Sequence, residues 1–221
     1  MTVGQSDGRD CPYCAPDEPC SVCANGQRSA NLAHALDTFR LKRPQVILSL
    51  CDGLGGWSQP YIDNDYDVIQ IDALTGQDVR LMELPAKPIH GILAAPPCTM
   101  FANSGARWVR TREQMLEALS VVDACLRIII ATQPVWWALE NPHGKLSRYL
   151  GPPRMTFNPN DYGDDYTKLT CLWGRFTEPA RTPVPATAGS RMHLLGPSPQ
   201  RAALRSITPE GFARAFYEAN P

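Results

Sequence analysis

An α/β fold built on a doubly wound, mostly parallel sheet is what this sequence predicts, and three observations predict it. A short, continuously apolar run at residues 45–50 (QVILSL) is followed by further strand-like runs at 67–72 (DVIQID), which ends in an acid, 89–94 (IHGILA) and 134–141 (PVWWALEN). Runs apolar throughout belong to strands covered on both faces, as in parallel sheets flanked by helices. The first run passes directly into a glycine turn, Asp52-Gly53-Leu54-Gly55-Gly56, the opening of a nucleotide-binding α/β unit. Between the third and fourth runs, residues 112–131 place Leu116, Leu119, Val122 and Leu126 on one face of a long helix that Pro134 terminates. In such sheets ligands collect at the carboxyl ends of the strands, where Gly53, Asp72, Cys98 and Glu140 all fall.

With 221 residues, 43% of them hydrophobic and 19% charged, the chain supports one main domain and leaves little for a second. No stretch approaches the ~20 apolar residues of a membrane span, and the N-terminus lacks the basic-then-apolar order of a signal peptide. A soluble, cytoplasmic protein without membrane partners, most simply a monomer, is expected. The net charge of −1 conceals an asymmetry: residues 1–97 carry 7 Lys and Arg against 12 Asp and Glu, a balance of −5, whereas residues 98–221 carry 14 against 10, a balance of +4. The second half is the one suited to an anionic substrate, although an ordinary solvated surface gives the same count. Ten of the 21 prolines lie from Pro152 onward, so the tail should be rich in loops.

Residues 1–28 read as a polar, Cys-rich appendage to a domain spanning 29–221. Cys11, Cys14, Cys20 and Cys23 form a C-x2-C-x5-C-x2-C pattern that could hold a structural zinc through four thiolates; a reduced, metal-free tail is the alternative. Residues 29–43 fit an amphipathic helix that Pro44 ends. Beyond Asn141, turns alternate with short segments, of which residues 169–174 (LTCLWG) could form one more strand. Residues 207–219 close the chain as a helix, with Thr208 as N-cap and Pro209 at its first position.

Three clusters carry chemistry. The glycine loop together with Asp72, 16 residues after Gly56, suits a nucleoside ligand, because glycines let the backbone approach closely and an acid at that distance accepts from ribose hydroxyls; a plain tight turn would look the same. No Lys-Ser/Thr follows, which argues against a P-loop. In Ala95-Pro96-Pro97-Cys98, two prolines stiffen a cysteine just past a strand, a placement that suits a nucleophile once nearby groups stabilise its thiolate; a structural cysteine is the plainer reading. Glu140, at the mouth of an apolar strand, should have its pKa raised by desolvation and so be able to donate a proton near neutrality, or it simply caps the next turn.

Taken together these segments resemble the cytosine carbon-5 DNA methyltransferases, which use S-adenosylmethionine on a Rossmann-like sheet. The family's Phe-x-Gly-x-Gly-Gly loop resembles Cys51-Asp52-Gly53-Leu54-Gly55-Gly56, with Cys in place of Phe. Its ribose-binding acid corresponds to Asp72, followed by Ala73, and its adenine-reading Gly-Asp-Ile step to Gln77-Asp78-Val79. The Pro-Pro-Cys motif is similar to Pro96-Pro97-Cys98, trailing through Phe101, Ser104 and Gly105, and Glu-Asn-Val is similar to Glu140-Asn141-Pro142. Agreement weakens after residue 142. Gln-x-Arg-x-Arg is reduced to Tyr166-Thr167-Lys168-Leu169-Thr170, with Lys168 the one surviving cation, and Arg205-Ser206-Ile207-Thr208-Pro209-Glu210 resembles Arg-x-Leu-Thr-x-x-Glu. Between Gly174 and Arg205 only 30 residues remain, far fewer than the family's usual target-recognition region. The compact chain resembles phage-encoded members, whose compartment would be the host cytoplasm.

The resemblance implies that Cys98 adds to carbon 6 of cytosine while Glu140 donates to ring N3, with Asn141 and Lys168 positioning the acid and the base. The cofactor would lie against residues 51–56, Asp72, Ala73, Asp78, Val79 and Pro96. DNA, duplex or single-stranded, would meet Pro97, Phe101, Ser104, Gly105, Arg107, Arg110 and Arg112, the arginines holding phosphates unless they merely solvate a helix start. Target choice would fall to the reduced, Pro-rich residues 175–204, which include Arg175, Arg181, Arg191 and Arg201, and should be short or relaxed. Two alternatives stand beside this reading: the same chemistry on a free cytosine nucleotide, and a cofactor-binding DNA-binding protein with little catalysis.

Overall fold

The computed structural model divides the chain into two units, Met1–Pro44 and Gln45–Pro221, and describes residues 44–103, 109–190 and 205–221. The Cys-rich segment, the helix expected over 29–43, and Ser104, Gly105, Arg107, Arg191 and Arg201 lie outside the described residues.

The second unit is a mixed α/β structure around a six-stranded sheet in the order β2-β1-β3-β4-β6-β5. Its strands are β1 (Val46–Leu50), β2 (Asp67–Ile71), β3 (Ile89–Ala94), β4 (Trp136–Pro142), β5 (Met155–Phe157) and β6 (Thr170–Arg175). The four runs expected from sequence are the parallel part, paired β1 to β2, β1 to β3 and β3 to β4. The chain then reverses: β6 runs antiparallel to β4, and β5 antiparallel to β6. "Mostly parallel" therefore describes one end of the sheet and not the other.

Alternation along β1 sends Val46, Leu48 and Leu50 to one apolar cluster and Ile47 to another, as a two-residue period requires when both faces are covered. On the first face lies α2 (Arg112–Thr132), contributing Val122, Ala124, Cys125, Ile128 and Ile129. A capping box starts it: Thr111 Oγ1 accepts from the Gln114 amide at 3.2 Å, and Gln114 Oε1 accepts from the Thr111 amide at 3.0 Å. Gln133, at φ 48°, ends it before Pro134. The stripe predicted from sequence needs one correction, since Leu116 is exposed; the buried face begins with Met115 and Leu119 partly covered and turns fully inward only from Val122. Leu116 sits in the first turns of the helix, before its buried stretch.

The opposite face carries α1 (Gln59–Ile62) and α4 (Glu210–Ala219), with α3 (Ser147–Leu150) following β4. Here the core is aromatic. Phe157 stacks on Phe212 with centroids 3.9 Å apart, and Trp57 meets Phe216 edge-on at 5.3 Å. Helix α4 begins at Glu210, with Pro209 in an extended cap conformation and no side-chain cap; Thr208 is thus not the N-cap expected from sequence. Between β2 and β3 the described residues form two 3-10 turns, Ala73–Thr75 and Val79–Leu81, in place of a crossover α-helix. Among the described residues no helix is long and apolar enough to cross a membrane.

Candidate active site

The register of the sheet brings the sequence-predicted residues to one edge. Leu50 pairs with Ala94, and Ala94 with Leu139, so β1 and β3 end level with Leu139 of β4 and set the glycine loop and the Pro-Pro-Cys loop beside Glu140, which follows within β4. The antiparallel pairing of Pro142 with Thr170 brings the start of β6 to the same edge, which places Lys168 there although it comes from the reversed part of the sheet.

The glycine loop is pinned from both sides. Cys51 adopts φ 58°, an unusual left-handed conformation for a residue with a side chain, and its amide donates to Ile71 O at 2.8 Å. Gly53, at φ 61°, occupies a region that glycine enters without steric cost, and its amide donates to Asp72 Oδ2 at 2.8 Å. The other Asp72 oxygen accepts from the Leu74 amide at 2.7 Å. Asp52 turns away from the loop: its carboxylate accepts from the Ser58 amide (3.0 Å), the Trp57 amide (3.3 Å), Ser58 Oγ (3.0 Å) and Ser49 Oγ (3.1 Å). It thereby ties the loop to the start of α1. Burial nonetheless raises its pKa against the pull of these donors. Leu54 and Leu74 stand exposed on either side of the loop, Gly55 is buried and Gly56 partly so, and Ala73 is exposed at the first position of its 3-10 turn.

Asp78 is held by Arg80, whose Nε lies 2.9 and 3.0 Å from the two carboxylate oxygens, and the hydrogen bonds from Arg80 lower its pKa to about 2. Arg80 also reaches Glu117 on α2. The carboxylate expected to read a nucleobase is therefore already engaged, while neighbouring Val79 is buried in the core.

The Pro-Pro-Cys loop is fastened to β4. Asn141, fully buried, donates from Nδ2 to Pro96 O at 2.8 Å, and its Oδ1 has no partner. Farther along, Lys145 N donates to Phe101 O at 2.8 Å. Gly144 permits this close approach, because a Cβ there would lie 2.1 Å from Phe101 O. The Phe101 and Ala102 amides both donate to Cys98 O, at 2.9 and 2.8 Å, closing a tight turn behind the cysteine. Pro97 is exposed at the loop's tip. Phe101, expected to meet substrate, is fully buried and packs edge-on against Tyr149 at 6.3 Å.

Four cysteines lie among the described residues. Cys125 and Cys171 are buried, Cys51 packs on the core beside Cys125, and Cys98 is partly exposed. Only Cys98 has cations nearby. Burial and the negative charge of Glu140 push its pKa up, while Lys168 and Arg205 pull it down. Glu140 is partly exposed as a residue, yet desolvation of its carboxyl raises its pKa; Lys168 lowers it and Asp52 raises it again. Lys168 Nζ donates to Arg205 O at 2.9 Å. A thiol, a carboxyl whose pKa burial raises and two cations thus share one edge, a set with the residue types for adding a nucleophile to an electron-poor ring and handling its proton. Sequence reasoning missed Arg205 as a member; its sole signal was its place in the motif resembling Arg-x-Leu-Thr-x-x-Glu.

Of the expected substrate arginines, Arg110 donates to Thr99 O at 3.1 Å and keeps a buried Nη1 without a partner, while Arg112 is exposed at the first turn of α2. Two others are committed to the protein itself: Arg175 donates to Pro134 O, and Arg181 donates to Asp161 Oδ2 at 3.1 Å and Thr156 O at 2.8 Å. Their expected part in target choice is not what these contacts serve. Among the described residues no group of three or more His, Cys, Asp and Glu could hold a metal; the four cysteines of the zinc pattern lie outside that set.

No family model matches the chain, and no curated protein does. Among solved structures it is similar to a protein described as a candidate DNA modification methyltransferase encoded within a prophage, from E. coli, at 17% identity and a TM-score of 0.43. That likeness covers 59% of this chain and 46% of the other, so the chain spans about half the length of the protein it matches.

Proposed function

We propose that the protein methylates carbon 5 of cytosine in DNA, using S-adenosylmethionine and a covalent adduct at Cys98. One observation carries the reading: Cys98, Glu140 and Lys168, three residues far apart in sequence, share one strand edge with mutually consistent electrostatics, beside a glycine loop tied to Asp72. A Cβ on Gly53 would lie in ordinary contact, 3.9 Å from Leu74 Cδ1 and from Ser206 Oγ, and Leu54 and Leu74 are exposed, so loop backbone, apolar side chains and an acid are what an adenosyl group would meet there. Gly53, Asp72, Leu54 and Leu74 would hold it. When bound, S-adenosylmethionine supplies an electrophilic methyl.

The chain's own residues do the activation. Cys98 thiolate forms a bond to carbon 6 of the ring as protonated Glu140 gives its proton to N3, and the electron pair so released makes carbon 5 nucleophilic. Once carbon 5 is substituted, a solvent water takes the carbon 5 proton, the electron pair left behind re-forms the C5–C6 double bond and expels Cys98 as thiolate, and N3 returns its proton to Glu140. Lys168 stabilises the thiolate, and Asn141 keeps Pro96 and β4 in register so that thiol and acid face one ring. In duplex DNA the cytosine must leave the stack, and Arg110 and Arg112 are placed to hold the flanking phosphates.

The test is incubation with methyl-labelled S-adenosylmethionine and DNA, RNA or dCMP in parallel, followed by nucleoside analysis. 5-Methylcytosine in the DNA arm, lost in Cys98→Ser together with the adduct to 5-fluorocytosine DNA, is expected. Its absence from every acceptor would sink the proposal. Engagement of Arg175 and Arg181 within the protein favours one second reading, a free cytosine nucleotide as acceptor, which product in the dCMP arm alone would establish.

A further inference from the structure

Most cations of the described residues are already engaged. Arg80, Lys87, Arg154, Arg181 and Arg214 each pair with a carboxylate, and Arg127 and Arg175 donate to main-chain carbonyls. Lys145, partly exposed, and Arg148, exposed, pair with no carboxylate among the described residues. Their surroundings supply none, because residues 141–160 contain no Asp or Glu. Arg110 and Arg112 end a second acid-free stretch, residues 84–112. The fold joins the two stretches at the turn that starts with Cys98. Ala102 and Gly144 form an antiparallel bridge, the Lys145 amide donates to Phe101 O at 2.8 Å, and Asn103 Nδ2 meets His143 Nδ1 at 3.1 Å. Tyr149, half exposed, packs on Phe101 and so seats α3, which carries Arg148, on the same turn. Arg110 is fastened there too, donating to Thr99 O at 3.1 Å while its buried Nη1 stays unpartnered.

We infer that Lys145 and Arg148 form a second phosphate-binding bank of this site, beside that of Arg110 and Arg112, and that the acceptor is a polynucleotide strand whose backbone runs across the Cys98 turn. The inference rests on the proposed function for its site and narrows the substrate. A surface cation beside a carboxylate has its charge already offset and attracts a further anion weakly. Unpaired guanidinium and ammonium groups keep their full charge for phosphate oxygens, and an acid-free stretch around them adds no repulsion. A nucleoside monophosphate carries one phosphate group and would leave one bank idle. A strand carries a phosphate on each side of the target nucleotide and engages both. Such contacts fix the strand's position without reading its sequence, so they ask nothing of Arg175 and Arg181, which are held within the protein.

The experiment is fluorescence anisotropy of a labelled oligodeoxynucleotide with the full chain, repeated between about 50 and 200 mM salt. Each phosphate contact steepens the fall of log affinity with log salt by about 0.9 for duplex DNA and about 0.7 for a single strand. Lys145→Gln and Arg148→Gln should each flatten the slope by about that amount and the double variant by about twice as much, whereas Lys145→Arg and Arg148→Lys should keep it. Lys87→Gln and Arg154→Gln remove cations already paired with Asp67 and Glu178 and should leave the slope where it is. An unmoved slope in the double variant, an equal flattening in the paired-cation variants, or an unmodified protein that does not bind the oligonucleotide would overturn the inference. Should the Gln variants fail to fold, acetylation of Lys145 in the unmodified protein, mapped by mass spectrometry, decides the same point: the oligonucleotide should protect it and dCMP should not, and equal labelling with and without oligonucleotide refutes the assignment. Binding needs no methyl transfer, so a flattened slope without 5-methylcytosine in any acceptor would keep this surface and defeat the proposed function. 5-Methylcytosine in the dCMP arm alone, with an unmoved slope, would defeat the surface and keep the chemistry.

Discussion

Asn141→Ala puts a number on the link between the Pro-Pro-Cys loop and β4. Asn141 is fully buried, makes one hydrogen bond, to Pro96 O at 2.8 Å, and leaves its own Oδ1 unpaired. Truncation removes that donor and strands a buried carbonyl, which costs about 1–3 kcal/mol, while deleting the unpaired Oδ1 recovers part of the desolvation already paid; a net loss of about 2 kcal/mol follows. With a urea slope of about 2–3 kcal/mol/M for a domain of this size, the midpoint should fall by about 0.7–1 M. Asn141→Asp should fall further, because a carboxylate oxygen would then face the Pro96 carbonyl across the same gap and carry an unpaired buried charge. Cys98 alkylation should lose its dependence on the site's charges in both variants, as the loop is no longer held against β4. Equal midpoints for Asn141→Asp and the unmodified protein would refute the reasoning, since no placement of that donor is compatible with a tolerated carboxylate.

Three further outcomes follow. Glu140, whose folded pKa is raised above its ordinary 4.5 by burial, takes up its proton more readily in the folded state, so it costs stability progressively as pH rises from 4.5 through the folded value; Glu140→Gln should be the more stable protein in denaturant at pH 8 and equal to the unmodified one at pH 4, and a constant difference would contradict the shift. Phe101→Ala should cost about 3–5 kcal/mol for a fully buried ring, read by thermal unfolding, and a surface-like effect below about 1 kcal/mol would restore it to a ligand-facing role. Asp78→Asn removes an ion pair on the surface and should leave the unfolding midpoint at pH 7 unchanged while weakening donor binding by calorimetry; unaltered donor affinity would remove Asp78 from the cofactor site.

The parallel strands were legible because each is a short, largely apolar run leading into an acid or a proline, with β1 buried throughout and β3 nearly so, whereas the edge strand β2 is mostly half-buried with Gln70 exposed. Strand β5 was not legible: three residues with Thr156 exposed between Met155 and Phe157 carry too short a pattern to distinguish from a turn. Leu116 and Phe101 show the limit of local reading in opposite directions. The first has helical spacing but is exposed, and the second sits in a motif yet is fully buried. Glu140 was expected to be desolvated from its place at a strand mouth, and burial does raise its pKa. The approach of Arg205 could not be read at all, since it depends on how a segment 37 residues from Lys168 crosses back over the glycine loop.

That crossing has a kinetic side. The loop after β1 is bordered by Thr208, and Trp57 just beyond it packs on Phe212 and Phe216, so an early turn of the sequence leans on one of its last helices. Such pairings close late, because the entropy of joining distant parts must be met before their contacts form. During synthesis the sheet's first strands can assemble while Trp57 still lacks its cover, and residues 205–216 must leave the ribosome before the glycine loop has its final walls. Ligand-binding competence should therefore arrive abruptly once α4 has emerged, and a chain stalled before α4 would expose an aromatic surface to chaperones and proteases instead of offering a partly working site.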